Sequence, residues 1–474
     1  MSETLATVRL RSLAGLGRDA LSSIFRGDRA PFLGMAAQHV RLARGRTLAF
    51  VGVTAFALSV WLRIAVVSAH PESLWSMIDL AVYFDAGRSL AHHQSELYSS
   101  GLGPAGLPYL YPPLTALVFF KLTGIDFDTV KVLSAGVSIG CLVVVAWAAL
   151  GMLGLRAGAG RWGAAFAVAA VGLWLEPVHS NLNLGQVNML VMALVVADLA
   201  LSDRNRAKGV GVGLATAIKL TPALFIVYLL ITRRVRAALV AAGTFVAVSG
   251  ATWWVLPTAS RAFWFHAIGA TPFDIVDYAA NQSFKGLFLR LSDNSESASK
   301  LPWLISCLLI VVVGTAAAAL ASNRGAELLA VCLIGVVALE VSPISWTCHW
   351  VWFVPLLVLA FHAARRSRHR WMPFWTGVGT IMALAWPMRV NDSGGSDPGQ
   401  PLIPTGLMYY VPKLGHREEA WDPFQMILGN SYVIGGVIFV VAAMLFEVRR
   451  LPGYARTEDV GEASEAEREL VTPG

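Results

Sequence analysis

The sequence predicts an all-α, polytopic membrane protein with about 11–13 spans. Three observations predict it. Only 14% of the 474 residues are charged and 56% are hydrophobic, with a mean hydropathy of +0.60. A soluble globular chain is about 25% charged, so lipid must cover most of this surface. The hydrophobic residues gather into runs close to the roughly 20 residues a helix needs to cross hydrocarbon, where only a helix or a closed barrel satisfies its own backbone. The arginines and lysines sit in short clusters between those runs, as they do in cytoplasmic loops.

The runs fall near 47–69, 111–123, 129–153, 161–176, 186–201, 209–232, 236–257, 302–322, 326–341, 349–363, 371–388 and 431–447. Residues 1–46 form a basic N-terminus with eight arginines, 47–447 a single transmembrane domain, and 448–474 a polar tail expected to be disordered. The positive-inside rule puts the N-terminus, Arg233-Arg234-Val235-Arg236, Arg324, Arg365–Arg370 and Arg449-Arg450 in the cytoplasm. The polar loops 70–110, 258–301 and 389–430 then lie outside. Two runs resist this count. Four runs separate loop 70–110 from the basic turn Asp203–Lys208, which is the wrong parity, and 111–123 is the shortest of them. Run 209–232 has basic turns on both sides, and Pro222 in its middle predicts two short helices meeting at a break.

Composition also excludes functions. The net charge of +7 is spread over cytoplasmic turns, so nucleic-acid binding is not expected. Cys141, Cys307, Cys332 and Cys348 show neither zinc nor disulfide spacing. No cleavable signal peptide is expected, because residues 1–46 lack a short apolar core.

Ionisable and amide groups in apolar context are the informative ones in a membrane chain. Asp79 follows the first span in Ile78-Asp79-Leu80-Ala81-Val82-Tyr83. It reads either as a helix-capping acid or as a general base whose burial raises its pKa. Tyr111-Pro112-Pro113 sets the start of a run, with the Tyr111 hydroxyl open to a substrate contact. Glu176-Pro177 precedes an amide cluster ending in Gln186 and Asn188, suited to sugar hydroxyls or to helix–helix hydrogen bonds. Lys219 lies inside an apolar run at a cost of about 2.5–3.5 kcal/mol. It therefore calls for an anionic partner: Glu176, Asp79 or a ligand phosphate. On the outer side, Asn281-Gln282-Ser283-Phe284-Lys285 and Ser342-Pro343-Ile344-Ser345-Trp346-Thr347-Cys348-His349 complete the set. His349 can donate to an anion or move a proton.

Other patterns carry less. Asp126-Phe127-Asp128 is a short acid pair in a turn, His92-His93 lacks metal partners, and Gly209-Val210-Gly211-Val212-Gly213 reads as close helix packing. Asn281-Gln282-Ser283 and Asn391-Asp392-Ser393 match a glycosylation acceptor pattern that is frequent by chance. One outer acid, an outer histidine, lysines, amides and tryptophans at a membrane boundary suit transfer of a sugar from a lipid-linked phosphate donor. The acid takes a proton from an acceptor hydroxyl. Lysine and histidine receive the leaving phosphate without a metal.

The motifs with Asp79 and Tyr83, Tyr111-Pro112-Pro113, Glu176-Pro177, Gly185-Gln186-Val187-Asn188, Lys219 to Pro222, Asn281-Gln282-Ser283 and Ser342 to Trp352 occur in the order found in a known family. Over residues 75–360 the chain resembles glycosyltransferase family 87, the polyprenyl-phosphate-mannose-dependent α-1,2-mannosyltransferases. The resemblance implies a GT-C type fold at the plasma membrane with its active site on the outer, periplasmic side. It implies a polyprenyl-phosphate mannose donor, a mannosylated glycolipid acceptor (phosphatidylinositol mannoside or lipomannan), no cofactor and an inverting reaction. Asp79 then matches the base and His349 faces the donor phosphate. Lys219, Lys285, Asn281, Gln282, Glu176, Gln186, Asn188, Tyr111, Trp346 and Tyr83 are the substrate-binding candidates. The chain departs from the family pattern at Cys348, where a first histidine is expected. The rival functions are a transporter or flippase for a lipid-linked sugar, an arabinosyltransferase of the same architecture and a non-catalytic scaffold. No internal repeat of the transporter kind is visible.

Overall fold

The structure, a computed structural model, describes residues 45–91, 94–268, 276–389, 400–413 and 417–450. Residues 1–44, the His92-His93 pair, the Asn391-Asp392-Ser393 pattern and residues 451–474 of the tail lie outside the described residues.

The fold is helical, as expected. Its main helices are α1 (Gly45–Ala69), α2 (Ile78–Ser89), α3 (Pro113–Leu122), α4 (Phe127–Met152), α5 (Ala159–Gly172), α6 (Glu176–Leu184), α7 (Asn188–Leu199) and α8 (Val210–Ile218). They continue as α9 (Ala223–Ile231), α10 (Val235–Val255), α11 (Phe284–Leu291), α12 (Glu296–Asn323), α13 (Glu327–Val341), α14 (Phe353–Arg366), α15 (Met372–Leu384) and α16 (Ser431–Arg449). A 3-10 turn, Thr347–Trp352, runs straight into α14. Between α15 and α16, β1 (Trp386–Met388) pairs antiparallel with β2 (Ile403–Thr405).

Among the described residues, six helical segments are long and apolar enough to cross a bilayer: α1, α4, α10, α12, Thr347–Arg366 and α16. The remaining apolar runs form shorter helices. Helix α3, with 10 residues, is only about 15 Å long at 1.5 Å per residue, half of the hydrocarbon thickness. Of the four runs between loop 70–110 and the basic turn, only α4 is long and apolar enough to cross a bilayer. The 209–232 run splits into α8 and α9 as the proline predicts, with Lys219 in extended conformation (φ −149°, ψ 134°) at the break.

The packing sorts the helices. Helix α13 is buried on nearly every face, the mark of a central helix. Around it, residues of α4, α7, α9, α12 and α16 form one continuous apolar core. Large side chains such as Val246, Leu308 and Trp254 point outward, where lipid replaces water as the solvent. Asp126 caps α4 by accepting from Thr129 N at 2.9 Å, and Asp128 pairs with Lys131 at 2.8 Å, so the acid pair is a helix start. The glycine-rich start of α8 packs against α7 and α10, and Asp198 accepts from Gly209 N and Val212 N at 2.9 and 3.0 Å. Near the basic turns, Arg234 grips Glu327 through two bonds of 2.5 and 2.6 Å.

Candidate functional site

The site is assembled where short helices break. Met77 takes a left-handed conformation (φ 48°) just before α2, and its N–H bonds to Asn183 O at 2.7 Å. Ser76 N adds a bond to Asn183 Oδ1 at 3.0 Å. This fixes α2 against α6 and puts Asp79 in the first turn of α2, where the helix dipole favours a carboxylate. Helix α6 ends at Gly185 with φ 72°, where a Cβ would meet Leu80 and Met77. The chain then turns so that Gln186 faces Asp79.

Gln186 is oriented by its neighbours. Its Oε1 accepts from the Tyr83 hydroxyl at 2.9 Å and the Tyr111 hydroxyl at 3.0 Å. Its Nε2 is thereby left to donate to Asp79 Oδ2 at 2.8 Å. Burial pushes the Asp79 carboxyl up to about 6, against the opposing pull of the Gln186 hydrogen bond and the Lys219 charge.

The second half of the site grows from the break at Pro222. Lys219 Nζ donates to Asn188 Oδ1 at 2.8 Å and to His349 Nε2 at 3.1 Å, and stands 5.4 Å above the Tyr111 ring. All three partners are neutral. Asn188 Nδ2 in turn donates to Cys348 O at 3.1 Å, tying the His349 turn to α7. A pocket opens here, with Asn188, Lys219, Thr221, Ser345 and His349 on its polar wall and Val191, Leu339 and Trp352 on its apolar one. A lysine held by neutral groups beside a pocket is suited to a ligand anion. Asp79, Tyr83, Tyr111, Gln186, Asn188, Lys219 and His349 therefore form one connected network, from an acid to a cation.

The other candidates are not members of this network. Asn281 bonds to Val276 O at 2.7 Å and receives Ser345 N at 2.9 Å. Gln282 bonds to Ala279 O, Gly429 O and Tyr432 N. Both are fully buried and support the pocket wall from behind, through Ser345. Lys285 pairs with Glu296 at 3.1 Å and lies over the Trp303 ring. Glu176 accepts from Tyr432 at 2.8 Å and from Tyr409 at 3.3 Å. Trp346 lies beside Tyr278, ring centres 6.3 Å apart. Sequence reasoning missed Arg63. It is buried in α1, and its guanidinium meets His179 Nδ1, fixing α6 to the first span. Its signal was an arginine inside an apolar run. Tyr409 and Tyr432 gave no such signal, because tyrosines near outer loops are ordinary interfacial residues.

Comparison with known proteins bears on this geometry. The model of glycosyltransferase family 87 matches residues 109–343. A polyprenol-phosphate-mannose-dependent α-(1-2)-phosphatidylinositol mannoside mannosyltransferase of Mycolicibacterium smegmatis is 29% identical over 413 residues, 81% of this chain and 87% of its own. A polyprenol-phosphate-mannose-dependent α-(1-2)-phosphatidylinositol pentamannoside mannosyltransferase of Mycobacterium tuberculosis is 30% identical over 372 residues, 75% of this chain and 84% of its own. No solved structure matches.

Proposed function

As the chain belongs to glycosyltransferase family 87, we propose that this hexosyltransferase moves mannose from polyprenyl-phosphate mannose to a hydroxyl of a mannosylated glycolipid, forming an α-1,2 linkage. The relatives' donor and acceptor supply the substrate classes. The single observation that carries the reading is the arrangement of Asp79 and Lys219 at opposite ends of one hydrogen-bonded network beside a pocket.

In this reading Asp79 takes the proton of the acceptor hydroxyl as its oxygen attacks the anomeric carbon. The bond from that carbon to the donor phosphate oxygen breaks, and polyprenyl phosphate leaves with the electron pair. Attack opposite the leaving phosphate turns a β-linked donor into an α-linked product. Lys219 stabilises the developing phosphate charge, and His349 holds the Lys219 ammonium toward the pocket. The charge of Lys219 does the work a metal would otherwise do. Asp79 follows the first span and the arginine clusters lie at the other ends of the spans, which supports an active site on the outer face of the plasma membrane.

The test is direct. The purified protein in detergent, given polyprenyl-phosphate mannose and an α-mannoside acceptor, should yield a product whose new sugar an α-1,2-mannosidase removes. A protein that moves the donor across proteoliposomes without forming a glycosidic bond would instead be the transporter.

A further inference from the structure

A buried arginine needs acceptors for its whole fork. Arg290 has them: its guanidinium meets Asn430 Oδ1 and the carbonyls of Asp277, Tyr278 and Asn281. Arg63, inside the first span, has no such set. It is only 6% exposed, and among the described residues no carboxylate pairs with it. Both of its contacts there are to His179, one to Nδ1 and one, at 3.5 Å, to the carbonyl. A guanidinium carries five N–H donors, and Arg63 Nε has no partner among the described residues, yet it is not sealed from outside. With Nδ1 accepting from Arg63, the His179 ring keeps its proton on Nε2, a second donor left open. A buried charge without a counter-charge is costly, so this cation calls for an anion from outside the chain.

The place of Arg63 says which anion. It lies six residues before the end of α1, about 9 Å below that end. From that depth a guanidinium reaches the level of lipid phosphates, and its planar fork binds two phosphate oxygens at once. Ser59 bonds to Ala170 O at 2.8 Å and Arg63 to His179, so α1 runs in the same direction as α5 and α6. One turn further along the same face of α6 is Asn183. Its carbonyl accepts from Met77 N at 2.7 Å and its Oδ1 from Ser76 N at 3.0 Å, and Asp79 follows in the first turn of α2. Arg63 therefore sits about 6 Å deeper in the membrane than the start of the helix that carries the base. A phosphatidylinositol mannoside has its phosphodiester next to the acyl chains and its sugars beyond, which is the same order.

We propose that Arg63 and His179 hold the phosphodiester of the glycolipid acceptor, so that its sugars extend to Asp79. This rests on the mannosyl-transfer reading above. A surrounding phospholipid offers the same phosphodiester, and the alignment with Asp79 favours the acceptor's own.

The experiment measures transfer in detergent to two acceptors: phosphatidylinositol mannoside, and a glycolipid with the same sugars and acyl chains but no phosphate. The unaltered protein should have a KM about tenfold lower for the first, the effect of hydrogen bonds to a charged group. Arg63→Gln should bring the two KM values within about twofold of each other. Arg63→Lys, which keeps the charge but not the fork, should restore a preference of about threefold. If Arg63→Gln slows transfer to both acceptors alike and keeps the preference, the site is overturned and Arg63 is a structural tie of α6. Equal KM values in the unaltered protein overturn it too, whether or not Arg63→Gln inserts. Added phosphatidylglycerol separates the two sources of phosphate. An unchanged KM for phosphatidylinositol mannoside supports the acceptor, and a rise to the phosphate-free value overturns that assignment in favour of bulk lipid. If the unaltered protein transfers mannose to neither acceptor, the proposed function fails, and direct binding of the two lipids, which needs no turnover, decides the site.

Discussion

Replacing Gln186 with leucine tests how the base is tuned. The substitution keeps side-chain bulk but removes the N–H that reaches Asp79 Oδ2 at 2.8 Å. That bond favours the charged carboxylate, so losing it favours the protonated form and raises the Asp79 pKa. A hydrogen bond to a charged group contributes about 1.5–3 kcal/mol, and about 1.4 kcal/mol is one pH unit. The shift is therefore about 1–2 units, upward from about 6. A base works only when unprotonated, so the acid limb of kcat/KM should move to higher pH by that amount. Tyr83 and Tyr111 lose their shared acceptor, but their hydroxyls are 2.8 Å apart and still bond to each other. The assay is mannose transfer from polyprenyl-phosphate mannose between about pH 4.5 and 9, following kcat/KM, whose pH dependence reports the free enzyme. An acid limb that stays in place or moves down while the rate falls evenly at all pH values would refute the tuning.

Two further outcomes follow from the same geometry. Lys219→Met should lower kcat/KM about 10²–10³-fold, the loss seen when one stabiliser of a developing charge is removed, with insertion and thermal unfolding little changed; near-normal transfer would remove Lys219 from the phosphate site. Arg234→Leu should destabilise the protein by about 3 kcal/mol, because it leaves Glu327 buried without its cation. That is the low end for a broken buried pair, since Tyr228 and Ser322 still donate to Glu327 at 2.8 and 3.1 Å. Unfolding in detergent measures it, and an unchanged transition would contradict the role of the pair.

Much of this was legible in the sequence because membrane solvent makes exceptions visible. Asp79, Lys219 and His349 stand out as charged or titratable groups in apolar context, and the structure brings them into one network with Gln186, Asn188, Tyr83 and Tyr111. Pro222 announced the break that exposes Lys219. What the sequence did not reveal is long-range pairing. Asn281 and Gln282 look like substrate amides, but their partners are backbone groups up to about 150 residues away, and nothing local distinguishes the two uses. The pairing of Lys285 with Glu296, at the start of the next helix, is likewise not signalled by the sequence. Tyr409 comes from a polar loop without periodicity, so only the fold brings it to Glu176. Cys348, a departure from the family pattern, is buried, and its backbone carbonyl accepts from Asn188 Nδ2 at 3.1 Å.

The central claim is that Asp79 removes the acceptor proton. Asp79→Asn preserves shape and the helix turn while abolishing the base, so transfer of mannose from polyprenyl-phosphate mannose should fall by about 10²–10⁴-fold. Donor binding, measured on the same purified variant, should be unchanged. Transfer by Asp79→Asn at the rate of the unaltered protein would contradict the account.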